Sequence, residues 1–133
     1  MSSRWGLVPL RVVLGLVFIM HGYLKLFTMG LAGTTGMFQQ MGIPLPQVAA
    51  AVVIAVELLG GMALILGLFT RWAAVALAID MAVVVLVVKL PGGFFAPRGV
   101  EFELTLCGAA LTLALVGAGG MSLDAMRRRS VAS

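Results

Sequence analysis

Long unbroken runs of apolar residues, separated by short polar stretches, set the organisation of this chain. Four such runs cover residues 7–27, 48–69, 72–90 and about 101–118. Each holds roughly 17–22 residues, close to what crosses a hydrocarbon core ~30 Å thick at 1.5 Å per residue. The blocks are continuous rather than alternating, which argues against a transmembrane β-barrel. The pattern predicts an all-α integral membrane protein, a four-helix bundle forming a single domain over residues 1–133. The first run follows Arg4 but passes through His21, Gly22, Tyr23 and Lys25 without a short cleavage region. It reads as a retained helix rather than a signal peptide.

The connectors refine this picture. Between the second and third runs stand only Gly67, Leu68, Phe69, Thr70, Arg71 and Trp72. Gly67 is suited to end one helix, Thr70 to cap the next and Trp72 to rest at an interface, so these helices form an antiparallel hairpin. The first loop, about residues 28–47, carries no charge. Its Met37, Phe38 and Met41 recur at helical spacing, which predicts a short interfacial helix, or one folding back over the bundle. Pro44 and Pro46 then stop that helix and open the second span. The third loop, residues 91–99, contains Pro91, Gly92, Gly93, Phe94 and Phe95. Together the two outer loops could form a lid, or they could simply rest on headgroups.

Composition agrees, with 62% hydrophobic and 11% charged residues. The net charge of +4 would suggest nucleic acid in a soluble protein. Here the basic residues gather at membrane edges, Arg127, Arg128 and Arg129 above all, and membrane lipids are the expected partners, not nucleic acid. Arg4, Arg11, Arg71 and these three arginines fall on one side. Lys25, Lys89 and Arg98 fall on the other, which puts both termini of a multi-pass protein in the cytoplasm. Cys107 and His21 are the only residues of their kinds. One chain therefore cannot build a disulfide, a bis-His haem, an iron–sulfur cluster or a Cys/His zinc site, and no metal is expected from it.

The few charges inside the spans carry the candidate chemistry, because an ionisable group in lipid requires a partner, water or a task. Arg11, Phe18, His21, Gly22 and Lys25 share one stripe of the first helix. Glu57 stands near the middle of the second, beside Gly60 and Gly61. Asp80 and Lys89 belong to the third, and Glu101 and Glu103 open the fourth. Alternating chain direction brings His21, Lys25, Lys89 and Glu103 to the outer half of the membrane, with Glu57 and Asp80 just below. Each also has a plain structural reading. Lysines snorkel to headgroups, Glu101 complements a helix dipole, Arg11 snorkels or pairs with Asp80 or Glu57, and Cys107 packs.

Read in order, several short strings resemble the DoxX family of small bacterial membrane proteins. They are Arg11 with Gly15-Leu16 and His21-Gly22-Tyr23-Leu24-Lys25-Leu26; Met41-Gly42-Ile43-Pro44; and Glu57-Leu58-Leu59-Gly60-Gly61. The hairpin Leu64-Ile65-Leu66-Gly67-Leu68-Phe69-Thr70-Arg71 and the closing Gly117, Gly119 and Ser122-Leu123-Asp124 complete the set. The resemblance implies a four-helix bundle in the bacterial inner membrane. It also implies relatives linked to quinone, thiol or oxidative-stress chemistry, among them a membrane subunit of thiosulfate:quinone oxidoreductase. The residues carried over are Arg11, His21, Lys25 and Glu57, with Glu103 as the fourth-helix acid.

The leading expectation is a redox-associated subunit that binds a quinone. A quinone needs an apolar slot, donors for its carbonyl oxygens and a proton carrier. Arg11 and Lys25 would bind, Phe18, Tyr23 and Phe27 would line the slot, and His21, Glu57 and Glu103 would serve the chemistry. Electrons would come from a protein partner or a soluble substrate. The alternative is a non-catalytic accessory or assembly subunit of a larger membrane complex, in which the charges pair structurally. Proton or solute movement through the polar centre is a weaker third reading, since neither an internal repeat nor a broken-helix pair is evident.

Overall fold

The computed structural model describes residues 3–120 and 122–132, with the side chains of residues 3, 4 and 132 outside that description. Arg4, used above for orientation, therefore has no described side chain. Among the described residues six α-helices follow in order: α1 Leu7–Tyr23, α2 Gly30–Gln40, α3 Pro46–Leu66, α4 Thr70–Val83, α5 Glu101–Val116 and α6 Leu123–Ala132. No strand occurs among the described residues. A π-helical segment, Leu24–Thr28, extends α1, and a second, Val84–Lys89, extends α4. With these extensions, Leu7–Thr28, Pro46–Leu66 and Thr70–Gly92 are each long and apolar enough to cross a membrane. The α5 helix has 16 residues, about 24 Å of rise, short of a ~30 Å core on its own.

Side chains sort as they do in lipid. Val13, Leu59 and Leu86 are 60%, 63% and 67% exposed, so the outward faces of the three spans are apolar rather than charged. The inward faces meet in a core of Leu14, Phe18, Leu64, Leu77, Met81, Leu106, Ala110 and Leu113. Around it α1 packs on α3, α3 on α4, α4 on α5, and α5 returns to α1.

Glycine sets the closest of these contacts. A Cβ on Gly15 would lie 2.6 Å from the Gly61 carbonyl oxygen, and one on Gly61 equally close to that of Gly15. The α1 and α3 backbones therefore touch, as small residues allow in membrane helices. Gly67 ends α3 at φ 68°, with Leu68 N–H donating to Ala63 O at 2.9 Å and Gly67 N–H to Leu64 O at 3.2 Å. That Schellman closure produces the tight hairpin expected from the sequence.

Thr70 does not cap α4. Its own amide and that of Phe69 are capped by Asp124 of α6, whose Oδ2 and Oδ1 accept at 2.9 Å and 2.8 Å. The polar α6 was not foreseen, because a short charged helix at a chain end has no apolar period to announce it. The first-loop helix is present and begins earlier than its methionines suggest, at Gly30. The Thr34 hydroxyl in α2 donates to Lys25 O at 2.9 Å, and Phe38 is buried, so α2 lies back on the end of α1 and on α3.

Candidate functional site

The polar residues of three helices converge because of the packing just described. Antiparallel α1 and α3 meet at Gly15 and Gly61, then at Gly22, where a Cβ would sit 2.8 Å from Leu58. One turn further out, Lys25 Nζ reaches Glu57 Oε1 at 2.7 Å, with Glu57 1% exposed. Asp80, on the neighbouring turn of α4, stands beside the Glu57 carboxyl. On the far side Lys89 Nζ lies 3.5 Å from Glu103 Oε1 and also donates to Pro97 O at 2.6 Å. Both lysines project from the two π-helical segments. Those wide turns are uncommon and concentrate at functional sites.

Between these groups lies a cavity of about 360 Å³. His21, Lys25, Glu57, Asp80, Lys89 and Glu103 line it, and the rest of its wall is apolar. Phe18, fully buried, belongs to that wall, as do Val84, Phe102 and Leu106. The α2 helix supplies Met37 and Phe38, and Met41 follows at its end, so α2 covers one side of the cavity. The third loop contributes nothing between residues 91 and 99 to the lining, so of the two loop segments only α2 acts as a cover. The His21 ring rests against Phe102 with centroids 5.6 Å apart. Asp80 Oδ2 and Glu103 Oε2 are buried with no hydrogen-bond partner. A buried acceptor without a hydrogen bond normally signals water, an ion or a ligand.

Five of the expected site residues meet here: Phe18, His21, Lys25, Glu57 and Glu103. Arg11 and Tyr23 do not. Arg11 shares the stripe of Lys25 but lies fourteen residues before it, about 21 Å along the helix. It is buried at the opposite end, donating to Ala118 O at 2.7 Å and Gly120 O at 3.1 Å, and it anchors the segment that leads into α6. Of the two roles open to it in the sequence, snorkelling or pairing with Asp80 or Glu57, buried Arg11 takes neither and holds the two carbonyls instead. Tyr23 stands about 200° around the helix from His21. It is 51% exposed and stacks on Phe27, itself 67% exposed, at 5.0 Å, so both rings face outward.

Asp80 and Lys89 are visible in the sequence as charges within a span, with nothing there to name the groups they face. Their helix neighbours are apolar, and only the packing of α4 against α3 and α5 reveals their partners. Glu101 lies in the first turn of α5, outside the cavity lining. Cys107 donates weakly to Ala78 O at 3.5 Å across the α4–α5 contact, in keeping with a packing role.

A family model, DoxX, matches residues 6–90. The chain belongs to the DoxX family. The match spans every cavity residue named above except those of α5, and it bears out the resemblance drawn from the short motifs. Among curated relatives of this DoxX chain, the Bacillus subtilis (strain 168) protein named "Putative oxidoreductase CatD" is 35% identical over 92% of the chain and 87% of its own length. The Escherichia coli (strain K12) "Inner membrane protein YphA" is 32% identical over 86% of the chain and 84% of its own length. The Mycobacterium tuberculosis "Uncharacterized membrane protein Rv3486" is 33% identical, covering 90% and 79%. No solved structure matches. With three membrane-capable helices and relatives named as membrane proteins, this DoxX chain is a membrane protein.

Proposed function

We propose that this protein is a membrane-embedded redox subunit that binds a quinone in the α1–α3–α4–α5 cavity. The observation that carries this reading is an apolar cavity with lysine donors and carboxyl groups gathered in one place. Its volume, about 360 Å³, falls within the range of about 300–1,000 Å³ typical of small-molecule sites. The donor set fits a quinone, whose carbonyl oxygens accept hydrogen bonds from Lys25, Lys89 or His21, while Phe18 and Phe102 flank an apolar ring. A quinone bound there supplies the redox chemistry, taking up two electrons and two protons to become the quinol. Two lysines, Lys25 and Lys89, face three carboxyls, Glu57, Asp80 and Glu103, across the cavity. Asp80 and Glu103 each keep an oxygen free to accept or hand on a proton at the cavity surface. Electrons come from a protein partner or a soluble reductant. The relative CatD, named as an oxidoreductase, supports the same class of chemistry.

In this reading α5 completes a four-helix bundle in the bacterial inner membrane, and α2 lies at its outer interface. Both termini are cytoplasmic, and Arg71, Arg127 and Arg128, which share a groove with Trp72, rest on anionic headgroups. One observation favours the accessory-subunit reading: both cavity lysines already hold carboxylates within the chain. A bundle stabilised that way could serve a protein partner, or a second copy of the chain, without a ligand. A short-chain quinone analogue titrated against the purified protein separates the two. Saturable binding that His21→Ala and Glu57→Gln weaken is expected; its absence would sink the quinone reading and leave the accessory role.

A further inference from the structure

A second void lies beside the first, and the two share a wall. Between α3 and α4 runs a groove of about 320 Å³, lined by Val52, Val53 and Val56 from one helix and Ala76, Ile79 and Val83 from the other. Its sole polar lining residue is Asp80. Val53, Asp80 and Val83 line the cavity as well, so groove and cavity lie on either side of the Asp80 turn. Toward the hairpin the groove is closed by close packing, since a Cβ on Gly60 would stand 3.1 Å from Leu77. Its lips face outward, with Val52 54% and Ile79 59% exposed. Both helices are membrane-capable, so what lies over those lips is lipid. On its other side the cavity is covered by α2, held down by the Thr34 hydroxyl and by buried Phe38.

From the shared wall we infer that the cavity takes its ligand sideways from the membrane, and that the α3–α4 groove holds an apolar tail attached to the ligand's ring. This rests on the quinone reading and narrows it to quinones bearing a long isoprenoid chain. A ring carrying such a chain lives in lipid and cannot leave it cheaply, because each exposed methylene is unfavourable in water. The ring with its carbonyls turns toward the lysines, while the chain leaves past Val53 and Val83 along a surface with no group to hydrogen-bond. A wholly apolar groove that ends at a carboxyl suits a molecule of that shape. It offers nothing to a polar solute approaching from water.

The test compares a tailless quinone ring with the same ring carrying an isoprenoid chain, by equilibrium binding to the full chain in phosphatidylcholine nanodiscs. Ala76→Phe fills the groove from its α4 side, and Val52→Phe does so from the α3 lip. The native protein is expected to prefer the tailed quinone. Both variants should weaken tailed binding by about tenfold or more, as displaced methylenes lose their apolar contacts, and leave the bare ring nearly unaffected. Equal binding of tailed and bare rings to the native protein, unchanged by either substitution, would overturn the groove assignment while keeping the quinone site. A parallel loss of both ligands in both variants would overturn it too, since a tail groove does not touch the ring. If neither ligand binds the native protein, the quinone reading itself has failed.

Discussion

Removing one partner of the Lys25–Glu57 pair tests whether the cavity is held together by its charges. The groups are 2.7 Å apart, with side-chain exposures of 17% and 1%. At that separation the attraction is about 6 kcal/mol for an effective dielectric constant of about 20. Desolvation of two ions costs several kcal/mol each, so the intact pair contributes little net stability. Loss of a single partner is a different matter, and the surroundings make it asymmetric. Glu57→Gln leaves Lys25 with Asp80 still in electrostatic reach, which limits the cost to about 1–3 kcal/mol. Lys25→Met instead leaves two buried carboxyls facing each other without the cation that pairs with them, and should cost about 3–5 kcal/mol. In the double variant most of that imbalance is gone, so its cost should fall short of the sum by at least ~1.5 kcal/mol. Unfolding in mixed micelles of rising sodium dodecyl sulfate content, followed by circular dichroism, gives the four stabilities of the cycle. Additivity within about 0.5 kcal/mol would refute the reasoning, as would a Glu57→Gln variant less stable than Lys25→Met.

Two further outcomes follow from the opposite end of the molecule. Burial pushes the Asp124 carboxyl up, but hydrogen bonds from Thr70 and Phe69 and the charge of Arg127 outweigh it, and the net pKa lies below the ordinary 3.8. A depressed acid stabilises the fold fully above its unfolded value and loses that contribution as pH falls through the lower folded value. Asp124→Asn keeps one acceptor but turns an amide donor toward the second backbone N–H, and should therefore cost about 1–2 kcal/mol near neutral pH, with the gap to the native protein closing as the pH drops below 3.8; a gap independent of pH would show that the cap is not ionic. A green fluorescent protein fused after Ser133 should fluoresce in bacterial cells and an alkaline phosphatase fused there should be inactive, and the reverse pattern would overturn the assigned orientation.

Much of this protein is legible in its sequence because lipid imposes a one-dimensional constraint. A span must be apolar over its length, so α1, α3 and α4 are visible as runs, and Gly67 marks the turn that folds α3 against α4. Helical period alone put Phe18, His21 and Lys25 on one inward stripe, and counting along alternating directions put Glu57, Asp80, Lys89 and Glu103 near them. Period could not say how far along the stripe a pocket reaches, which is why Arg11, about 21 Å from Lys25, belongs instead to the Ala118 and Gly120 carbonyls. Nor could it choose among three carboxyls for each lysine. That choice was made by backbone contact at Gly15 and Gly61, which sets the register of α1 on α3 and so delivers Lys25 to Glu57. The Asp124 cap, the cover formed by α2 and the groove that shares Asp80 with the cavity depend on residues far apart in the chain. A hydropathy pattern records the medium each residue faces, whereas these features depend on which neighbour it meets, and only the packed tertiary structure decides that.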